Sequence, residues 1–367
     1  MHKKLKGKIS VASKIKLTPN TLKLLYTPGV AKVSMLVSER PEKTNEYTWR
    51  GNTVAVVSDG SAVLGLGNIG PEGALPVMEG KAMLFQALSG IDAVPIVLGT
   101  QDTEEIIATV KNLAPSFAGI NLEDISAPRC FEIEARLKDM LDIPVMHDDQ
   151  HGTAMVVIAG LINALRVVKK KPKDCNVVVA GAGAAGQAIV EQLIRFGMGE
   201  IIVVDSKGII HRDRTDLDKY KKEIAEKTNQ SRMTGSIEDA MQGADVFVGV
   251  SKGDTITADM VASMAVDPII FALANPHPEI LPEDAKRGGA AVVATGRSDF
   301  DNQLNNALGF PGIFRGALDH GVKEITDDML FAGAKALAKL VTKPTARMII
   351  PSVFDPRVAK AVAKAIK

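Results

Sequence analysis

Two series of short apolar segments, separated by helical stretches, constrain the fold of this chain more than any other feature of its sequence. The first series has four predicted strands, at residues 53–57, 94–98, 117–122 and 143–147. The second has five predicted strands, at residues 176–180, 200–205, 245–250, 269–274 and 291–295. Strands that alternate with helices predict mostly parallel sheets that helices cover. The sequence therefore predicts an α/β fold.

The length of the chain and the positions of the two series predict two domains. At 367 residues the chain exceeds the usual size of a single domain. We expect an N-terminal α/β domain at residues 1–152 and a Rossmann-like, doubly wound domain at residues 153–318, joined by a long apolar helix at about 152–168. In the first domain, helices are predicted near residues 79–89, 103–114 and 128–141. We expect residues 319–367 to form C-terminal helices that pack back across the first domain.

A glycine fingerprint in the second series indicates a dinucleotide site. Gly181, Gly183 and Gly186 follow the first strand of that series and open a helix. This order supplies a tight turn, a close approach of the backbone to a pyrophosphate, and a helix N-terminus that stabilises its charge. Ala184 and Ala185, which lie between the glycines, are assigned to the same cofactor site.

The same GxGxxG spacing occurs earlier in the chain, at Gly65, Gly67 and Gly70, but in a different context. Pro71 and Gly73 follow it, and these residue types are not expected to propagate a helix. We therefore interpret this segment as a Gly-rich loop that lines a substrate cleft.

The residues after the next strand leave the choice between NAD and NADP open. Asp205 stands where an acceptor for a ribose hydroxyl belongs, and Ser206 and Lys207 are assigned to the same cofactor site. The negative charge of Asp205 disfavours the 2′-phosphate of NADP. Lys207, Arg212 and Arg214 could instead bind that phosphate, or they could form a solvated loop surface.

Acidic side chains follow two consecutive strands of the first series. Glu123 and Asp124 end one strand, and Asp148 and Asp149 end the next. A single helix connects these strands, so we expect parallel neighbours whose C-terminal ends lie together. Carboxylates that close need a balancing cation, and Mg²⁺ or Mn²⁺ prefers oxygen ligands. We predict a divalent metal site here; the alternative is two polar turns with N-capping aspartates.

The charge and the termini narrow the classes of function. Acidic and basic residues nearly cancel, with a formal net charge of +1, so neither nucleic acid nor an anionic membrane is an expected partner. The basic N-terminus lacks the apolar segment of a signal peptide, and no apolar run approaches the ~20 residues of a membrane span. Cys130 and Cys175 match no metal or redox spacing. We expect a cytoplasmic protein that acts on a small molecule.

Six ordered sequence strings in these regions carry a resemblance to a known family. They are LLYTPGVA (24–31), VLGLGNIGPEGALPVMEGKAMLF (63–85), INLEDISAP (120–128), HDDQHGTA (147–154), LANPHPEI (273–280) and TGRSDFDNQLNNALGFPGIFRGALD (295–319). Together they resemble the malic enzymes, in particular the short prokaryotic form. The resemblance runs from about Tyr26 to Asp319.

The resemblance implies an activity and a set of metal ligands. The activity is the oxidative decarboxylation of L-malate to pyruvate and carbon dioxide, with reduction of NAD or NADP and a requirement for Mg²⁺ or Mn²⁺. Glu123, Asp124 and Asp149 would ligate that metal, in the N-terminal domain, which would also bind the substrate.

The resemblance also implies catalytic roles that sequence context alone would not suggest. Lys81 would be the base that takes the hydroxyl proton of malate, with Asp148 beside it. Tyr26 would be the acid that protonates the enol after carbon dioxide leaves. Without the resemblance, Lys81 would be interpreted as a solvated helix charge and Tyr26 as a packing residue before a turn.

Three asparagines complete the implied site, and the chain departs from the family at one position. Asn275, Asn305 and Asn306 would bind substrate groups, and Asn275 would also contact the cofactor. Ala62 stands where larger malic enzymes carry an arginine that holds the substrate carboxylate. Backbone N–H groups of the Gly-rich loop, or Arg297, could replace that arginine.

The resemblance further implies a homodimer, and it leaves open whether Tyr26 acts in its own subunit or in the neighbouring one. Because the sequence ends at residue 367, we expect no acyltransferase-like extension of the kind that some bacterial relatives carry.

Three other functions stay open on the sequence. A malolactic enzyme would retain the dinucleotide and release lactate, so the products distinguish it. An amino-acid dehydrogenase also pairs a lysine with this domain order but does not need the carboxylate cluster, so sensitivity to chelators distinguishes it. A non-catalytic dinucleotide-binding protein would bind NAD or NADP without turnover.

Overall fold

Two β-sheets, one from each predicted series of strands, form the framework of the protein. The computed structural model describes residues 2–5, 7–63 and 65–367. Before the first sheet, the N-terminal arm (residues 2–5 and 7–47) forms four helices: α1 (His2–Leu5), α2 (Pro19–Leu25), α3 (Val30–Glu39) and α4 (Thr44–Tyr47).

The first sheet consists of four parallel strands in the order β2-β1-β3-β4. Its strands and helices are, in chain order, β1 (Thr53–Ser58), α5 (Gly70–Ser89), β2 (Asp92–Val97), α6 (Thr103–Leu113), β3 (Gly119–Leu122), α7 (Arg129–Met140) and β4 (Val145–His147). The predicted βαβ unit is confirmed, because β3 and β4 are parallel neighbours with Leu122 opposite His147. The residues that follow these two strands therefore meet at one edge of the sheet.

A long helix, α8 (Asp148–Val168), leads from the first sheet to the second. It begins four residues earlier than predicted, so Asp148 and Asp149 form its first turn instead of ending a strand. Acidic residues are stabilised there by the helix dipole. By length and composition α8 is the one helix in the described residues that could cross a membrane, but 67% of its most apolar window is buried inside the protein.

The second sheet has six strands in the order β10-β9-β8-β5-β6-β7. Its elements are β5 (Val177–Ala180), α9 (Ala184–Phe196), β6 (Ile201–Asp205), β7 (Gly208–Ile209), α10 (Lys219–Lys227), α11 (Ile237–Met241), β8 (Val246–Gly249), α12 (Ala258–Ala262), β9 (Ile269–Ala272), α13 (Pro282–Arg287) and β10 (Val292–Thr295). All five predicted strands are present, and β7 adds a short antiparallel strand that the sequence does not predict. The order reverses between β5 and β8, and ligands bind at such a switch point.

Helix α5 is longer than the sequence predicts. It begins at Gly70 instead of near residue 79, so the expectation that Pro71 and Gly73 would not propagate a helix is wrong. Pro71 is tolerated because it lies in the first turn, where its missing N–H would have no partner within the helix. The early start places Lys81 in the middle of α5.

The C-terminal helices pack back onto the first sheet region, as predicted. They are α14 (Phe310–His320), α15 (Asp327–Lys339) and α16 (Arg357–Ala365). Phe310 and Phe314 of α14 contact Phe85 of α5, with ring centroids 4.7 and 5.5 Å apart. One hydrophobic core then continues through Met155 of α8 to Val179 of β5. The two-domain α/β fold is confirmed, and the predicted boundaries at residues 152 and 318 stay a prediction.

The N-terminal arm contributes little to this core. Neither α2 nor α3 has a buried residue. Large hydrophobic side chains of the arm are exposed, namely Leu5, Ile9, Val11, Ile15, Leu17, Leu22, Leu24, Leu25, Tyr26, Val30, Met35 and Tyr47. A contiguous apolar surface on a folded protein commonly marks an interaction site.

Candidate active site

Lys81 lies at the centre of a buried group of charges at the edge of the first sheet. Its Nζ is 2.7 Å from Oε1 of Glu123, which follows β3, and 2.6 Å from Oδ2 of Asp148 in the first turn of α8. The ring centroid of Phe310 lies 4.2 Å from the same ammonium. The structure therefore brings Lys81, Glu123 and Asp148 into direct contact, away from solvent.

Burial and mutual repulsion set the protonation of this group. Burial raises the pKa of the Glu123, Asp148 and Asp149 carboxyls, and the positive charge of Lys81 only partly offsets this effect. Burial alone would lower the pKa of Lys81, but Asp148 and Glu123 raise it well above its ordinary value. Lys81 is therefore a cation in this arrangement. It can accept a proton only when further positive charge joins the carboxylates.

Three carboxylates have the spacing of a metal site. Glu123, Asp124 and Asp149 each offer an oxygen, and these oxygens lie within 4.8 Å of one another. The N–H of Asp124 donates to Oδ2 of Asp149 (2.8 Å), and Nδ2 of Asn121 donates to Oε2 of Glu123 (2.9 Å). Asp124 has a left-handed backbone (φ 54°), a strained conformation that proteins often retain at functional sites. Carboxylate oxygens at this spacing, on the buried Glu123 and Asp124 and the half-buried Asp149, fit Mg²⁺ or Mn²⁺, which would also offset their repulsion.

Another buried carboxylate, Glu134, which the sequence does not single out, supports this edge of the sheet. Glu134 of α7 accepts a hydrogen bond from the N–H of His147 (2.9 Å) and contacts Nε2 of His151 (2.9 Å) and Nζ of Lys138 (3.0 Å). Although burial opposes it, His151, Lys138 and the His147 N–H hold the pKa of Glu134 well below its usual range. Glu134 thereby fixes the junction between β4 and α8, from which Asp149 projects.

A cleft of about 410 Å³ joins the carboxylate cluster to the glycine turn. The predicted site residues that line it are Asp124, Asp149, Gly183, Ala184, Ala185, Asn275, Asn305 and Asn306. The side chain of Asn305 also accepts a bond from the N–H of Ala307 (2.9 Å), and that of Asn275 donates to the carbonyl of Leu273 (3.3 Å). A small molecule in this cleft would contact the carboxylates on one side and the glycine turn on the other.

A second cavity, of about 600 Å³, lies on the other side of the glycine turn. Gly181, Asp205, Ser206 and Lys207 line it, and Ser251 lines both cavities. A dinucleotide that crosses the turn would have one half in each cavity. Its adenosine half would lie beside Asp205, at the end of the second strand of the sheet.

The three glycines of the turn meet different steric requirements. Gly181 has φ 117°, and a Cβ there would lie 2.8 Å from the carbonyl oxygen of Val250. A Cβ at Gly186 would lie 1.8 Å from the carbonyl oxygen of Gly181. A Cβ at Gly183 would meet no heavy atom within 4 Å. Gly181 and Gly186 are therefore needed for the fold of the turn, whereas Gly183 leaves space for a pyrophosphate to approach.

Alanine at Gly186 and at Gly183 is therefore expected to have different effects. Gly186→Ala should lower the free energy of unfolding by about 1–3 kcal/mol, because its methyl group overlaps backbone. Gly183→Ala should leave the unfolding temperature unchanged but weaken NAD binding, because its methyl group enters the space of the pyrophosphate. Thermal unfolding and NAD titration of both variants measure these effects. An unchanged unfolding temperature for Gly186→Ala would contradict the close packing described above.

Of the residues implied for the substrate site, Lys81, Glu123 and Asp148 are buried and do not line the cleft, and Tyr26 and Arg297 lie away from it. Tyr26 at the end of α2 is 66% exposed, and Arg297 pairs with Asp299 (2.6 Å). Among the residues that the structure describes, neither Tyr26 nor Arg297 lines the cleft. Ala62 and Gly65 do line it. Of the two replacements expected for the missing arginine, the geometry thus favours the backbone of the Gly-rich loop.

Sequence models of one family match nearly the whole chain. The description "Malic enzyme, N-terminal domain" matches residues 6–138, and "Malic enzyme, NAD binding domain" matches residues 150–367. A bifunctional malic/malolactic enzyme of Bacillus subtilis is 54% identical over 100% of this chain and 90% of its own length. An NAD-dependent malic enzyme of Geobacillus stearothermophilus is 56% identical over 98% of this chain and 76% of its own length.

Solved structures agree with the sequence comparison. The crystal structure of an NAD-dependent malic enzyme from Thermotoga maritima is 53% identical in sequence and superimposes with a TM-score of 0.96, covering 100% of this chain and 97% of its own. An NADP-dependent malic enzyme of Rhizobium meliloti is 45% identical over 98% of this chain, which spans 50% of that relative's length. Relatives of both dinucleotide specificities are thus similar to this chain.

Proposed function

Because the chain belongs to the malic enzyme family, we propose that it converts L-malate to pyruvate and carbon dioxide while reducing NAD or NADP, with Mg²⁺ or Mn²⁺ as its metal. The observation that carries the proposal is the contact of the Lys81 ammonium with Glu123 and Asp148, next to the clustered carboxylates of Asp124 and Asp149. The carboxylates of the cation site and the dinucleotide turn then meet around one cleft, and the base is buried in contact with Glu123 of that cation site.

The metal would be held by Glu123, Asp124 and Asp149. A divalent ion supplies positive charge that stabilises the negative charge developing on the substrate oxygen. The same charge would compete with Lys81 for the carboxylates, and it would bring the pKa of the lysine down toward neutrality. Proton transfer and much of the substrate binding would depend on side chains of the protein.

Lys81 would take the hydroxyl proton of malate while hydride leaves the same carbon for the nicotinamide beside Gly183. The bond between the adjacent CH2 carbon and its own carboxylate would then break, carbon dioxide would leave, and the electron pair of that bond would form the carbon–carbon double bond of an enolate. Tyr26 would donate a proton to the terminal carbon of the enolate to give pyruvate. Asp148 would keep Lys81 in position between the two steps.

The substrate carboxylates would be held without an arginine in the cleft. Asn275, Asn305 and Asn306 offer amide groups to one end of the substrate. The Ala62 N–H already donates to the carbonyl of Asp124 (2.9 Å), so a backbone N–H of the Gly-rich loop at Gly65 would bind the second carboxylate in place of a cation. This arrangement fits a small, dianionic hydroxy acid.

Assays with L-malate test the proposal. The reduced nicotinamide, pyruvate and carbon dioxide should form together when the protein is given L-malate, NAD or NADP, and Mn²⁺. EDTA should stop the reaction without displacing the dinucleotide. Absence of reduced nicotinamide with both dinucleotides in the presence of Mn²⁺ would refute the proposed reaction.

A malolactic activity is a second candidate, because the Bacillus subtilis relative is named a bifunctional malic/malolactic enzyme. The same site would then retain the reduced dinucleotide and pass its hydride back to pyruvate, which gives lactate. Lactate that forms from malate with no release of reduced nicotinamide would identify this reaction.

We also propose a cytoplasmic location, as for an enzyme of soluble metabolites.

We propose that the protein is a homodimer in which Tyr26 enters the site of the neighbouring subunit. Tyr26 is exposed at the end of α2, on an arm whose helices α2 and α3 bury no residue within the chain. Burying such apolar side chains against a second copy would contribute roughly 25 cal/mol per Å². The arm would then supply the acid that the described part of the cleft lacks.

Mixing two inactive variants distinguishes a shared site from a self-contained one. Tyr26→Phe and Lys81→Ala dimers should each be inactive. After subunit exchange, half of the dimers are mixed and each has one complete site if Tyr26 crosses over, so about a quarter of wild-type turnover should return. Each variant mixed with itself is the control. No recovered turnover, with exchange verified by differently tagged subunits, would show that Tyr26 acts within its own chain.

A further inference from the structure

Ser126 lies in the wall of the cleft, two residues after Asp124 of the carboxylate cluster. Its Oγ accepts a hydrogen bond from Nη2 of Arg129 (3.1 Å). A serine hydroxyl has one donor and two acceptor positions. Within the part of the chain that the structure describes, the hydroxyl proton of Ser126 has no acceptor. This donor is therefore available to a molecule in the cleft.

Ser61, the other hydroxyl that contacts Arg129, has no free position. Its Oγ donates to Oδ1 of Asp59 (2.6 Å) and accepts from the N–H of Ser126 (2.9 Å) and from Nη2 of Arg129 (3.0 Å). The donor and both acceptor positions of this hydroxyl are thus used. Ser61 therefore fixes the backbone of Ser126, and Ser126 keeps the hydroxyl that can bind a ligand.

Arg129, the first residue of α7, is held behind the wall of the cleft. One of its nitrogens contacts Oδ2 of the fully buried Asp59 (3.0 Å), and another donates to the carbonyl of Gln101. Arg129 is among the described residues, and it does not line the cleft. Its charge can still act through Ser126, because a hydroxyl that accepts a hydrogen bond from a cation becomes a stronger donor.

The position of Ser126 relates to the arginine that this chain lacks. The N–H of Ala62, where larger malic enzymes carry that arginine, donates to the carbonyl of Asp124 (2.9 Å). This bond and the bond from the N–H of Ser126 to Ser61 join the two chain segments, and Ala62 and Ser126 both line the cleft. The cleft therefore has a neutral, polarised hydroxyl near the place of the missing guanidinium.

We infer that Ser126 binds the second carboxylate of the substrate, together with the N–H of Gly65, and that Arg129 is the residue that positions and polarises its hydroxyl. The inference rests on the proposed function, which places L-malate in this cleft. An α-hydroxy acid chelates a divalent ion through its hydroxyl and the neighbouring carboxylate, so the carboxylate left for Ser126 is the one farther from the hydroxyl. Ser126 thus determines specificity for a diacid.

A neutral donor suits the reaction proposed for this carboxylate. The carboxylate loses its negative charge when it leaves as carbon dioxide. A hydroxyl has less electrostatic attraction to lose at that step than a guanidinium would have. Ser126 would therefore hold the substrate in place and oppose the loss of carbon dioxide less than an arginine.

Binding of L-malate and of L-lactate to the Mn²⁺-loaded, full-length protein tests the inference. No dinucleotide is added, so there is no turnover. L-lactate has the same hydroxyl and neighbouring carboxylate as L-malate but lacks the second carboxylate. Ser126→Ala should weaken L-malate binding by about tenfold or more, as expected for loss of a hydrogen bond to a charged group, and should leave L-lactate binding unchanged. Ser116→Ala, at an exposed serine after α6 and outside the cleft, is the matched control and should change neither affinity.

A double-mutant cycle tests the positioning role of Arg129. Arg129→Lys keeps a positive charge beside Asp59 but loses the planar arrangement of donors. It should weaken L-malate binding by about threefold or more in the wild-type background, and it should have no further effect when Ser126 is alanine. An equal effect in both backgrounds would show that Arg129 does not act through Ser126.

Other outcomes separate this inference from the proposed function. Equal weakening of L-malate and L-lactate by Ser126→Ala overturns the role of Ser126, and so does an unchanged affinity for L-malate. Wild-type protein that binds neither acid refutes the inference together with the substrate site. Selective weakening of L-malate by Ser126→Ala, in a protein that does not turn over L-malate with either dinucleotide, refutes the proposed reaction alone.

Discussion

Replacing Lys81 by alanine is expected to lower the turnover of L-malate by about 10²–10⁴-fold, the usual contribution of a positioned acid–base group. Binding of NAD should persist, because Lys81 does not line either part of the dinucleotide site in the described residues. The physical reason is the position of its ammonium, 2.6–2.7 Å from Asp148 and Glu123 and thus beside the proposed metal ligands. Steady-state turnover and NAD titration of the same preparation measure both effects.

The structural role of Lys81 must be separated from its role as a base. Loss of the ammonium leaves buried carboxylates without their partner, and breaking such a pair costs about 3–5 kcal/mol. Lys81→Arg keeps a positive charge but provides no base, because a guanidinium does not lose its proton in proteins. The unfolding temperature of Lys81→Arg should therefore be closer to that of the wild type than the unfolding temperature of Lys81→Ala. The turnover of the two variants should be equally low. Lys111→Ala, on the exposed face of α6, should have no effect. Turnover above a tenth of wild type in Lys81→Arg would exclude the lysine as the base.

Replacing Asp149 by alanine is expected to raise the Mn²⁺ concentration for half-maximal turnover by about 100-fold or more, since even residues that merely support a metal ligand alter affinity 10–100-fold. Asp149 and Asp124 stand on different elements, the first turn of α8 and the end of β3, and their oxygens converge with that of Glu123. Removing one of the three leaves too few protein oxygens to retain the ion.

The unfolding temperature provides a readout for Asp149 that does not depend on turnover. Mn²⁺ should raise the unfolding temperature of the wild-type protein, because a ligand that binds only the folded state stabilises it. The rise should be absent in Asp149→Ala. Asp142→Ala removes an exposed carboxylate that pairs with Lys323 and should retain the rise. An equal rise in Asp149→Ala and the wild type would remove Asp149 from the ligand set.

The alternation of strand and helix segments was sufficient to predict most of the fold, because nearly every strand of the two sheets is a short segment of mainly apolar residues. The spacing of apolar residues along α5 also indicates that Lys81 is buried, although only the family resemblance drew attention to this lysine. The buried residues of α5 are Ala74, Met78, Lys81, Ala82 and Phe85, which lie on one face of the helix. The whole buried face can be recognised only if the helix is predicted to begin at Gly70. Pro71 led to the prediction of a later start.

Glu134 offered a similar signal. It shares the buried face of α7 with Cys130, Ile133 and Leu137, so a carboxylate stands in an apolar helical stripe. Such a residue is expected to have buried partners. Its partner Lys138 stands four residues later on the same helix, but His147 and His151 lie on other elements and could not be identified from spacing alone.

The network around Asp205 and the placement of Tyr26 could not be predicted, for a different reason. Arg214 and Lys221 reach Asp205 across the turn that follows β7, and this geometry depends on how the loop folds. Tyr26 lies on an arm that has no buried contacts in α2 or α3. Its position in the active enzyme depends on what covers the arm, which sequence periodicity does not specify.

The convergence of Glu123 and Asp124, which follow β3, with Asp149 in the first turn of α8 on a divalent ion beside Lys81 can be observed directly. Crystals grown with Mn²⁺ and measured near its absorption edge should show one anomalous peak per chain, in contact with Glu123, Asp124 and Asp149 and adjacent to the Lys81 ammonium. A map with no peak there, or with these carboxylates directed away from one another, would contradict the proposed metal centre and the base that depends on it.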